Sequence, residues 1–185
     1  MIEKFSKQHF SYSGKAVGFR SDEIILPNKN KAYREYLTHP GAVAVIPFID
    51  SPHKNSLLNC RVALVEQFRY PVRLITQELP AGKMDGKESA SKCLARELKE
   101  ETGYTALRFG RMISYWPTPA FSNEVIHIYW ADGLKKGKNN PDEDEFLRVK
   151  TMTFGEMLKK VQTGKIRDSK TVIGVLYAFT LFQKN

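Results

Sequence analysis

The 185-residue chain is 42% hydrophobic and 26% charged, a composition that excludes extended disorder and suits one compact domain with a short appendage. Its net charge of +9 admits a polyanionic partner, but the surplus is scattered among lysines, so nucleic acid is not an expected partner. Residues 1–5 lack the apolar core of a secretory signal, and the longest apolar stretch, 172–182, is broken by Gly174 and Thr180, far short of the ~20 residues that span a bilayer. No membrane partner is expected, and cytoplasmic location is the default.

Residues 1–40 carry short strand-like pieces at 23–26 and 32–37, punctuated by Gly14, Gly18 and Pro27. After His39-Pro40-Gly41, residues 42–48 form an apolar run rich in β-branched side chains, and 61–67 form a second. The polar link at 50–59 predicts neighbouring strands joined by a surface loop. Residues 77–80 read as short and extended. A helix is predicted from about 89 to 101, stopped at Thr102-Gly103, where glycine suits the left-handed position after a helix. Strand signals return at 108–115, 125–130 and 146–154. Thr153-Phe154-Gly155-Glu156 has capping-box spacing and opens a helix ending near Gly164; a last helix runs from about 168 to 182. Strands and helices mix without strict alternation. The expected fold class is therefore α/β, a mixed sheet flanked by helices, with an N-terminal β extension over 1–40 and the main domain over 41–185. Cys60 and Cys93 make no recognisable metal or redox spacing, and nothing requires a disulfide between them.

The chemistry concentrates in residues 82–104. At about 100° per residue, Glu97 shares a face with Ala90, Cys93, Leu94 and Leu98, and Glu100 and Glu101 fall on the same side. Lys92, Ala95, Arg96 and Lys99 fall opposite. A plain surface helix does not account for this. Glutamates at a helix C-terminus oppose the macrodipole, and Glu97 and Glu101 are like charges at a repulsive spacing. Crowded, partly buried carboxylates must protonate or gather a cation, and hard oxygen ligands in a cluster suit Mg²⁺ or Mn²⁺ alongside phosphates.

Gly82, then Glu88, then Arg96-Glu97-Leu98-Lys99-Glu100-Glu101-Thr102-Gly103 resembles the Nudix box, G-x5-E-x7-R-E-U-x-E-E-x-G-U, at every fixed position; Tyr104 stands where an aliphatic residue is usual. The resemblance implies the α/β/α Nudix sandwich and a hydrolase that splits a pyrophosphate joining a nucleoside to another group. It implies that Glu97, Glu100 and Glu101, with the backbone carbonyl of Ala81, hold Mg²⁺, Mn²⁺ being the alternative. Glu88 and Arg96 would brace the loop and helix. Gly82 would let the backbone come close to metal and phosphate.

Gln67-Phe68-Arg69-Tyr70-Pro71, Glu78-Leu79-Pro80-Ala81-Gly82-Lys83, Arg34-Glu35-Tyr36-Leu37, Pro119 and Phe121-Ser122-Asn123-Glu124 are similar to the flanking segments of ADP-ribose pyrophosphatases. That similarity implies ADP-ribose as substrate, with GDP-mannose or another nucleoside-diphosphate sugar as the rival and a non-catalytic ADP-ribose-binding module as the reading from another class. Arg34, Arg69 and Glu78 would serve the substrate, and Glu124 the ribose side. Within Asp142-Glu143-Asp144-Glu145, the family's mobile glutamate corresponds to Glu143 or Glu145, a base or further ligand, and the sequence does not choose between them. The resembling enzymes are usually homodimers sharing the N-terminal segment. Phe5, Phe10, Tyr12 and Phe19 would then pack at the interface or stack on adenine, core packing being the plainer role for each.

Overall fold

The computed structural model describes residues 1–53, 56–140 and 146–183. The chain divides into two units, Met1–Gly41 with Trp116–Val125, and Ala42–Tyr115 with Ile126–Asn185.

In the first unit, β1 (Lys4–Ser13), β2 (Gly18–Ile25) and β3 (Lys31–Thr38) form an antiparallel sheet in that order. The ten-residue β1 is absent from the sequence reading for a physical reason. Register shifts between Phe5 and Lys7 and between Gln8 and Phe10 break the alternation that would announce a strand. All of β1 is exposed, including Phe5, Phe10 and Tyr12. Segment 116–125 joins this unit through the Leu37 N–H, which donates to Phe121 O at 2.9 Å.

The second unit contains β4 (Ala42–Pro47), β5 (Arg61–Arg69), β6 (Leu74–Glu78), β7 (Ala81–Lys83), α1 (Ala90–Thr102), β8 (Tyr104–Thr105), β9 (Arg108–Tyr115), β10 (Ile126–Asp132), β11 (Lys135–Lys136), β12 (Leu147–Thr153), α2 (Phe154–Gln162) and α3 (Ser169–Phe182). One sheet runs β7-β4-β10-β9, with β4 and β10 parallel and the other pairs antiparallel. A second runs β12-β5-β6, antiparallel throughout, and β8 pairs with β11. The expectation that 42–48 and 61–67 are sheet neighbours needs correcting. Both edges of β4 are taken by β7 and β10, so β5 lies in the other sheet, joined by a bridge between Phe48 and Val62.

Successive side chains of a strand point to opposite faces, and this sorts the core. Val43 and Val45 of β4 and Tyr129 and Ala131 of β10 meet Cys93, Leu94 and Leu98 of α1. Ala44, Ile46, Ile126 and Ile128, from the alternate positions, meet Phe154 and Met157 of α2 and Val175 and Ala178 of α3. Helices therefore cover both faces of a mixed sheet, as the α/β expectation requires. Each fully buried Leu, Ile or Phe here contributes about 1.5–3 kcal/mol. Among the described residues, no helix is long and apolar enough to cross a membrane.

Candidate active site

The helix α1 begins where Ser89 accepts the Lys92 N–H and ends at Gly103, whose φ of 74° places it in the left-handed region. Burying Cys93, Leu94 and Leu98 fixes the rotation of the helix, and that rotation carries Glu97 and Glu101 inward with them. Glu97 is 9% exposed and Glu101 3%, while Glu100, at the edge of the stripe, is half-buried.

Each acid is met differently. One Glu101 carboxylate oxygen accepts the Ala81 N–H at 2.9 Å, tying the end of α1 to the start of β7. Glu97 lies against Gly82 so closely that a Cβ on Gly82 would stand 1.9 Å from its carboxylate. What glycine supplies there is room for the carboxylate rather than backbone freedom, since its φ is not in the left-handed region. Arg96, placed on the outer face by helical spacing, folds back over the edge. Its Nη1 donates to Glu97 at 2.6 Å and to Glu100 at 3.0 Å. Its Nε and Nη2 donate to Glu88 at 3.2 and 3.1 Å, and Nη2 also reaches the Lys83 carbonyl. The hydrogen bond from Arg96 holds Glu88 below the usual carboxylate range, and Glu88 in turn leads in raising the Arg96 guanidinium. Burial pushes the Cys93 thiol up to about 12, so this neighbour stays a neutral packing group.

One guanidinium thus answers Glu88, Glu97 and Glu100, and the ligand atoms that the acidic cluster presents are oxygens. That set fits a hard divalent cation. Among the described residues no three acidic, histidine or cysteine groups converge as a ready cage. A small divalent ion of this class does not need one, because it keeps several waters and is held by one or two carboxylates plus substrate phosphates. Gly82 supplies the second requirement, a cradle that any larger residue would fill.

Beside this cluster, Arg69 donates to Glu78 in a fork at 2.8 and 2.7 Å. Glu78 is 2% exposed and also receives Lys170. Burial alone would raise its pKa, but Arg69, Lys170 and Thr76 together bring it down to about 2. Glu78 holds Arg69 rather than opening to solvent. The other substrate-side candidates belong to the first unit. Arg34 pairs with Glu3, and with Tyr36, Trp116, Pro119 and Asn123 it lines a cavity of about 360 Å³. Glu124 lies 3.5 Å from His39. Glu143 and Glu145 fall outside the described residues.

The sequence reading missed Trp116, Lys170 and Thr171. Trp116 stood unremarked at a strand end, and Lys170 and Thr171 lie 92 positions from Glu78 and Leu79, where no spacing rule connects them.

The NUDIX domain family model matches residues 38–172. The chain belongs to the Nudix family. As such it is a hydrolase, of a family that works with divalent metal ions. This Nudix chain is 39% identical over 177 residues to a methanol dehydrogenase activator of Bacillus methanolicus, covering 95% of this chain and 91% of the relative. It is 34% identical over 177 residues to an ADP-ribose pyrophosphatase of Bacillus subtilis strain 168, with the same coverages. A crystal structure of an ADP compounds hydrolase aligns with a TM-score of 0.79 over 98% of this chain and 97% of that one, at 16% identity, a likeness of fold.

Proposed function

We propose that this Nudix hydrolase cleaves the pyrophosphate of ADP-ribose to AMP and ribose 5-phosphate, using Mg²⁺ with Mn²⁺ as a substitute. The observation that carries the reading is the approach of the buried Glu97 carboxylate to Gly82, with Glu101 tied to Ala81 alongside. Glu97, Glu100, Glu101 and the Ala81 carbonyl would hold the metal. When bound, it would neutralise the diphosphate, polarise phosphorus and lower the pKa of a water.

The chain's own groups do the rest. Arg96 orients Glu97 and Glu100 and tempers their repulsion. Arg69, fixed by Glu78, meets the phosphates with the guanidinium edge that Glu78 leaves open. Arg34 contacts the substrate, Glu124 serves its ribose side, and Glu143 or Glu145 acts as base or further metal ligand. Residues 1–40 act as a dimerisation element on a main domain of 41–185, in a cytoplasmic homodimer.

The test is phosphate-coupled turnover on a panel of nucleoside diphosphate derivatives with Mg²⁺. ADP-ribose is expected to rank first; GDP-mannose ranking first transfers the substrate and leaves the chemistry. Glu101→Gln keeps an oxygen for the Ala81 N–H but removes the charge, so turnover should fall by roughly a hundredfold or more with an unchanged fold. ADP-ribose bound without any turnover would mark a binding module and end the proposal.

A further inference from the structure

Glu78 ends β6 with its carboxylate held by two cations and a hydroxyl. One oxygen accepts from Arg69 Nε at 2.8 Å and Thr76 Oγ1 at 2.5 Å; the other accepts from Arg69 Nη2 at 2.7 Å and from the Lys170 ammonium. Lys170, 9% exposed, also donates to Asp168 at 2.9 Å. Asp168 caps α3, its other oxygen accepting the Thr171 N–H at 3.0 Å and the Thr171 hydroxyl at 2.6 Å. The Leu79 N–H then donates to the Thr171 hydroxyl at 2.8 Å. The first turn of α3 therefore grips both the Glu78 side chain and the backbone that follows it, just before Ala81 and Gly82.

Stability alone explains this poorly. Buried ion pairs are weak stabilisers, because desolvation offsets the attraction, and apolar residues of similar volume do as well. The arrangement has a consequence for Arg69 instead. Its Nε and Nη2 are engaged by Glu78, its side chain is 43% exposed, and its Nη1 makes no hydrogen bond among the described residues. Two cations and two anions balance, so Glu78 is neutralised from behind while one edge of Arg69 stays open to an anion.

On the reading above, in which Arg69 meets the diphosphate, we propose that Lys170 is a positioning residue for the hydrolysis. It fixes Glu78, and through Glu78 it fixes the orientation of Arg69. Lys170 lies outside the box and acts through Glu78.

The test is a kinetic double-mutant cycle on the full chain with ADP-ribose and Mg²⁺. Lys170→Met should raise KM on the order of tenfold, the usual scale for a group that orients a ligand-binding residue, with kcat within about threefold of wild type. Lys170→Arg should restore most of the loss. In an Arg69→Ala background, Lys170→Met should add nothing, because the two act as one unit. Additive KM effects, or an unchanged KM in Lys170→Met, overturn the proposal while leaving an active wild type and its substrate assignment standing. A wild type inactive on the whole panel fails earlier, at the assignment itself. Should Lys170→Met melt early, Lys170→Gln and the Nε–H resonance of Arg69 without ligand carry the test. Faster solvent exchange than in wild type supports the role, and unchanged exchange sinks it.

Discussion

Gly82 and Glu97 define the site at the scale of single residues. Gly82→Ala places a Cβ 1.9 Å from the Glu97 carboxylate, and a flexible glutamate tip can swing away at modest cost. The expected outcome is a loss of stability of only about 1 kcal/mol by urea titration, against a fall in turnover of roughly a hundredfold. Comparable losses in both would show that the contact is merely structural. Glu78 gives a pH signature. Its folded pKa, about 2, lies below the ordinary 4.5, so the stabilisation is fully present above about 4.5 and is lost as pH falls towards 2. Urea midpoints should drop between pH 5 and pH 3, and Glu78→Gln should flatten that drop. The inward carboxylates were legible because helical period alone places them. Helical spacing put Arg96 on the outer face, and only the box resemblance implied its bracing role; its reach over the helix edge is possible because a long side chain spans more angle than its Cβ direction suggests.

Helix ends matter at the scale of elements. Gly103 closes α1 at a φ of 74°, and a Cβ there would meet the Gly137 carbonyl at 2.7 Å, while its own carbonyl accepts the Gly137 N–H at 2.7 Å. Gly103→Ala should therefore cost at least about 1–2 kcal/mol, the penalty of the left-handed region for an L-residue, and more if the neighbouring chain cannot give. Thermal melting measures it. Stability unchanged within error would mean the end of α1 relaxes freely. The helices, their caps and the strand at 108–115 were readable from period and from Ser89, Thr153, Asp168 and Gly103. Pairing was not: β4 and β5 have the same apolar signature, and only the contest for β4's edges assigns them to different sheets.

At the scale of the whole molecule, exposed aromatic residues ask for a partner. Phe5, Phe10 and Tyr12 in the first unit and Phe68, Tyr70 and Phe146 in the second are each more than half exposed. Exposed apolar patches mark interaction sites, and each unit carries aromatic side chains of its own that can form one. On the homodimer proposal, light scattering should give twice the 21.2 kDa chain mass, and deletion of residues 1–14 should yield a monomer. A full-length monomer at micromolar concentration would refute it. Chelation should stop turnover while leaving the circular dichroism spectrum unchanged, because the core is built from apolar side chains and does not depend on the ion.

The sequence by itself determined the box, its inward acids, the mixed α/β class and the positions of the helices, because these depend on periodicity and spacing within one segment. Tertiary structure decided the rest. Glu78, Arg69 and Lys170 meet only because β5, β6 and α3 converge, Gly82 opens to Glu97 only because β7 lies along α1, and β1 becomes a strand only by pairing with β2. Contacts between distant segments are fixed by packing, and packing leaves no periodic trace in the chain.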